Sequence, residues 1–216
     1  MELEMSGVKG GTRRDKARAT RRRIIDAARD EFAERGFHGA TIASIAARAG
    51  VAPQTVYFVF HTKPELISAV IDDSVMGEKT PVPPEHTAWW AAMEAEPRAD
   101  EALRIFVRGS APLFARASAI SEVLRAAALT DDEVRGTHEA HEVLRHAAFR
   151  QVVAGLADKG RLRPWLTIDT ATDVLLAIHG DATYQYLTAS RGWTHDQLVD
   201  WLCLALPDLV LEPPPT

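Results

Sequence analysis

The feature that most constrains this chain is the spacing of its apolar residues, which recur every three or four positions through almost every segment. Alternation of β-branched residues over four or more positions is hard to find. A three-to-four period buries one stripe of a helix, whereas a strand needs a period of two to have an inside face. The expectation is an all-α protein.

Between Lys16 and Arg35, the residues Ile25, Ala28 and Phe32 fall on one helical face, and Gly36 can take the left-handed conformation that stops a helix. Thr41 suits the N-cap of a second, two-turn helix in which Ile42, Ile45, Ala46 and Ala49 share a stripe before Gly50 ends it. Pro53 opens a third short helix, to about Val59, because a proline at the first helical position loses no hydrogen bond. Thr62 and Glu65 have the spacing of a capping box, and Leu66, Ala69 and Val70 supply the stripe of a fourth helix running to about Val75. Helices of two turns do not stand alone in water, so these elements must pack as one unit.

Gly77 to His86, reading GEKTPVPPEH, is too rich in proline for regular structure and reads as a flexible boundary. Beyond it the periodicity gives helices over about 87–95, 99–117, 118–129, 131–159, 168–190 and 194–206, with PPPT as a frayed tail.

Charge divides the chain. Residues 1–60 hold 11 Lys and Arg against 7 Asp and Glu, and residues 61–216 hold 14 against 23, within a net charge of −5. Seven of the basic residues, Arg13, Arg14, Lys16, Arg18, Arg21, Arg22 and Arg23, are opposed only by Asp15. Such a run is either a phosphate-attracting arm or a solvated tail. The single cysteine, Cys203, permits no internal disulfide and reads as a small buried hydrophobe. The polar opening lacks the apolar run of a signal peptide, and no stretch approaches the roughly 18 to 20 apolar residues of a membrane span. A soluble, cytoplasmic protein with no membrane partner is expected.

Two short helices joined by a glycine turn, the second polar at its start and apolar behind, have the form of a helix-turn-helix. Gln54, Thr55 and Tyr57 are its outward side chains, Val51, Val56 and Phe60 its supports, and Lys63 adds a cation beside the free N–H groups of the next helix. Residues 16–70 resemble the N-terminal domain of TetR-family transcriptional regulators. The resemblance rests on ERGF, on T-I-x-x-I-A-x-x-A-G-V from Thr41, on T-V-Y-x-x-F from Thr55, and on K-P-E-L from Lys63. It implies a homodimeric repressor that binds a palindromic double-stranded DNA operator and is released by a small-molecule effector, without catalysis, cofactor or metal. Thr41 would touch phosphate, Gln54 and Thr55 would enter the major groove, and Tyr57 and Lys63 would bind backbone phosphates. Two positions depart from the pattern: Ala52 replaces a capping serine, and Val59 a polar, DNA-facing residue. The implied division is residues 12–60 for DNA binding, 61–76 for a connecting helix, 77–86 for the loop, and 87–210 for ligand binding and dimerisation.

In the larger region, HEAHEVLRH places His138, His141 and Glu142 on one helical face, which reads either as an ion-paired surface or as a metal or pH-sensing site; the H-E-x-x-H spacing is absent. By the resemblance the effector pocket lies between about 99 and 190, with Phe106, Phe114, Phe149 and Tyr184 as lining. Arg104 and Arg108, one turn apart, either greet an acidic effector or cover an exposed face. Apolar stripes on the last two helices suggest a dimer interface at Val174, Ile178, Leu198, Trp201 and Leu202. The alternatives to a regulator are a small-molecule-binding module and a helical metalloenzyme built on His138, His141 and Glu142.

Overall fold

The computed structural model describes residues 8–77 and 82–213; Pro81 and residues 214–216 of the expected tail lie outside them. Among the described residues there are helices and no strand, the only β-type pairing being a bridge between Leu162 and Leu211. The chain divides into two compact units between Val70 and Ile71.

The first unit holds α1 (Val8–Gly39), α2 (Ile42–Ala49), α3 (Pro53–Phe60) and the start of α4 (Lys63–Met76). Gly36 interrupts α1 at φ 67° and ψ 177°, a positive-φ kink open to glycine rather than the left-handed helical cap expected, and helical turns resume to Gly39. Phe37 folds back there and stacks on Phe32 at 5.8 Å. Ile24, Ile25, Phe32, Ile45, Val56 and Leu66 form the core. Thr41 caps α2 by accepting the Ser44 N–H at 3.0 Å, and Ser44 Oγ accepts the Thr41 N–H at 3.1 Å. This closes a capping box of which only the threonine half was legible. Thr62 accepts the Glu65 N–H at 3.2 Å, while the Glu65 carboxylate lies 3.2 Å from the His61 ring.

The second unit takes α5 (Ala88–Ala95), α6 (Ala99–Ala128), α7 (Asp132–Lys159), α8 (Ile168–Ile178), α9 (Asp181–Gln185), a π-helical turn at Tyr186–Ser190, and α10 (His195–Val210). Two expected divisions are corrected. The segments 99–117 and 118–129 are one helix, because the buried stripe of Phe114, Ala117, Ile120 and Leu124 runs on without a break and Ser118 is buried within it rather than capping. Conversely, 168–190 is not one helix. It breaks at His179 and Gly180, where the chain turns extended before the buried Asp181.

A Cβ on Gly180 would fall 2.3 Å from the Leu176 carbonyl oxygen, a backbone atom that cannot swing aside. Gly180→Ala is therefore expected to cost about 1–3 kcal/mol, several degrees of melting temperature. Gly155→Ala, where a Cβ meets nothing within 4 Å, is the matched control in the same thermal melt.

The interface expectation is also corrected in part. Leu198 and Leu202, each 2% exposed, pack into the core of their own unit with Leu103, Phe106, Leu175 and Leu206, so they have no surface to offer a second chain. Trp201, Leu204 and Leu209 are the apolar side chains that α10 exposes, and Val174 and Ile178 are half-buried.

Candidate nucleic-acid interface

The short α2 is held on α1 by charge as well as by its apolar stripe. The Arg48 guanidinium grips Glu34 with two hydrogen bonds of 2.8 and 2.6 Å and reaches the buried Glu31 at 2.9 Å. The same guanidinium holds the Glu34 carboxyl below its ordinary value. Arg48 was not legible as structural, because its acidic partners Asp30, Glu31 and Glu34 lie on α1.

Upon this base α3 turns Val56 and Phe60 inward and leaves Pro53, Gln54, Tyr57 and Phe58 exposed. Gln54, Tyr57 and Phe58 thus share one outward face, as their spacing dictates. Phe58, 84% exposed, is the residue that sequence reasoning missed; its position four after Gln54 was the available signal. Thr55 and Val59 are half-buried. Ala52 gives α3 no side-chain cap, and the helix starts on Pro53. Thr41 is exposed, with its hydroxyl already engaged in the α2 cap.

Lys63 has partners of its own. Its ammonium donates to the carbonyls of Phe37 at 2.9 Å and Ala40 at 3.1 Å, and lies 4.2 Å from the centre of the Phe37 ring. It therefore holds the turn between α1 and α2, a structural role absent from the sequence reading.

In the second unit, Phe106, Phe114 and Phe149 gather around one residue that the sequence did not single out, His179. Its ring lies 4.6 Å from Phe114, 5.6 Å from Phe106 and 6.2 Å from Phe149, and Nε2 is 2.7 Å from Ser110 Oγ. Complete burial pushes its pKa down to about 3, so the imidazole is neutral. Tyr184 packs against the same apolar core, with its hydroxyl 3.0 Å from His195 Nδ1. Nearby in the chain, Asp181 is paired with Arg145, and burial raises its carboxyl against that cation.

A cleft of about 370 Å³ opens elsewhere, between α5, α6 and α7, lined by Met93, Ala102, Gln151, Val152, Leu156 and Lys159 among others. None of the four expected lining residues borders it.

The remaining polar expectations resolve into ion pairs. Arg145 takes the Glu142 carboxylate, and His138 Nδ1 stands 4.0 Å from it. Burial lowers the pKa of His141. Among the described residues no group of three or more His, Cys, Asp and Glu side chains is placed to hold a metal ion. Arg104 is committed to Asp100, Glu101 and the Cys203 carbonyl, and Arg108 pairs with Glu101, so neither is reserved for an effector. No helix of the described residues is long and apolar enough to cross a membrane.

A two-turn helix, a left-handed glycine at Gly50 and an exposed third helix make the first unit a helix-turn-helix domain. Residues 24–70 match the family of bacterial regulatory proteins, tetR family. That match covers the helix-turn-helix unit and not the helical unit that follows. It is 44% identical over 55 residues to the HTH-type transcriptional regulator UidR of Escherichia coli (strain K12), a match covering 26% of this chain and 28% of that relative's length. To the probable HTH-type transcriptional regulator ArpR of Pseudomonas putida it is 28% identical over 172 residues, covering 76% of this chain and 78% of that one. Its fold is similar to that of the transcriptional regulator FadR from Bacillus subtilis, solved in complex with stearoyl-CoA. The TM-score is 0.68 at 19% identity, over 87% of this chain and 97% of the other.

Proposed function

We propose that the protein is a homodimeric transcriptional repressor that reads a palindromic operator with α3 and leaves it when a small molecule binds the second unit. The observation that carries this reading is the outward face of α3, where Gln54, Tyr57 and Phe58 stand exposed on a helix braced by Val56 and Phe60. Surface aromatics beside a polar side chain have no use in the core of the unit, and they match what a recognition helix offers to base edges and phosphates. The tetR-family match of residues 24–70 supports the DNA partner, and the stearoyl-CoA complex of FadR supports a ligand in the helical unit. In a dimer the two α3 helices would sit one turn of duplex apart, roughly 34 Å. The effector would work by linkage, favouring a state with a different head spacing; a typical coupling of about 1–3 kcal/mol corresponds to a 5- to 150-fold loss of operator affinity.

The test is titration of the protein against DNA from around its own gene, with shuffled DNA as control and salt varied. Tight, steeply salt-dependent binding to one palindromic segment supports the regulator. Equal, weak binding to both moves the reading towards the small-molecule-binding module.

Within that assay, Gln54→Ala is expected to change preference among operators by about 1–3 kcal/mol, whereas Tyr57→Phe weakens all sequences alike. Lys63→Ala separates two roles. A phosphate contact predicts a log–log salt slope shallower by about 1, while loss of the carbonyl anchor alone lowers affinity and leaves the slope unchanged.

A further inference from the structure

The outer part of the basic run before the first buried position is not absorbed by the domain's packing. α1 begins at Val8, yet Ile24 is its first buried residue among those whose side chains are described. From Arg13 to Arg23 every described side chain is exposed or half-exposed. Eleven residues at a rise of 1.5 Å extend about 16 Å, a length of helix with no apolar face to bury.

Its charges fall into two groups. Nearer the core, Arg22 pairs with Asp26, the Arg21 guanidinium lies 5.0 Å from the centre of the Phe60 ring at the end of α3, and Arg23 sits beside Gly50 in the α2–α3 turn. The root of the extension thus lies against the end of α3 and near the turn that precedes it. Farther out, Asp15 pairs with Arg18, while Arg13, Arg14 and Lys16 have no ion pair among the described residues.

We infer that this helical extension is a second DNA contact, in which Arg13, Arg14 and Lys16 bind phosphates of the duplex outside the base pairs that α3 reads. The inference rests on the helix-turn-helix reading and extends it. Charge complementarity selects the partner: seven cations with one acid occupy residues 13–23 of a chain whose net charge is −5. A duplex presents one phosphate charge per about 1.7 Å of its axis, so a 16 Å arm can meet several. Contacts made through charge to phosphates add affinity on any sequence, so the arm's contribution is read on mixed-sequence DNA. A lone helix of this length is marginal in water, and neutralising its crowded cations on phosphate would firm it.

The experiment compares the full chain with the triple variant R13Q/R14Q/K16Q on a long mixed-sequence DNA duplex, by fluorescence anisotropy across a salt series. Three lost phosphate contacts are expected to make the log–log salt slope shallower by about 2.7, with the thermal melt unchanged because the three side chains are exposed. A variant with the parent's slope overturns the inference. If Tyr57→Ala at the same time weakens binding, the helix-turn-helix reading stands without its arm. A parent that does not bind the mixed-sequence duplex overturns the inference, as does arm-dependent binding found only on phosphatidylglycerol vesicles or single-stranded RNA, while the helix-turn-helix reading stands or falls on the palindromic segment.

Discussion

Truncating Phe32 to alanine is expected to destabilise the N-terminal unit by about 3–5 kcal/mol, the range for a buried phenylalanine whose removal leaves a cavity. Phe32 is 0% exposed and is the residue on which Phe37 stacks after the Gly36 turn, so its loss removes the support of that turn as well as volume. A unit of this size rarely has more than about 3–5 kcal/mol to lose. Hydrogen exchange in the full chain reads the effect directly: amides of α2 and α3 lose most of their protection, while those of α6 and α7 keep theirs. DNA affinity falls in proportion, since α3 is oriented only when the unit is packed. Phe32→Leu, which keeps most of the volume, is expected to retain protection within about 1.5 kcal/mol. Equal protection of α2 in the parent and Phe32→Ala would refute the assignment of this side chain as the unit's keystone.

The second large effect is acid sensitivity in the other unit. The folded pKa of His179 is about 3, below the unfolded value of about 6.5, so unfolding takes up a proton between these two values. Its contribution is complete above about pH 6.5 and is lost progressively as the pH falls towards 3. At about 1.4 kcal/mol per unit, lowering the pH from 7 to 5 costs on the order of 2 kcal/mol. His141, lowered by burial, adds in the same direction. Asp181, whose carboxyl is raised by burial, opposes them, since its folded form gains from protonation as the pH falls. The readout is the difference in melting temperature between pH 7 and pH 5, compared within each variant so that any general loss of stability cancels. His179→Gln, which cannot titrate, is expected to show a smaller difference than the parent. An undiminished difference would show that the acid response comes from elsewhere.

Much of the first unit was legible because its determinants are local. Thr41, Gly50, Pro53 and the kink at Gly36 act through the backbone of their own neighbours, so their residue types and spacing carried the meaning. Phe58 was missed although its spacing from Gln54 was plain, because aromatic residues are read first as core. In the second unit the reading weakened where the deciding partners are distant. Ser118 has the chemistry of a cap, yet it is buried in a continuous α6 and accepts from Gln185 Nε2 at 2.7 Å, 67 residues away. Phe106, Phe114 and Phe149 could be named as one set, but the His179 that unites them could not.

The sequence by itself determined the all-helical class, the short capped helices of the N-terminal unit and the outward placement of Gln54 and Tyr57, because apolar period and capping chemistry operate over a few residues. Tertiary structure alone decided that Arg48 clamps α2, that Lys63 serves two carbonyls, and that α8 ends at His179. It also decided that Leu198 and Leu202 face inward while Trp201 and Leu204 face out. An apolar stripe specifies that a helix face is covered, and only the packed partners specify by what.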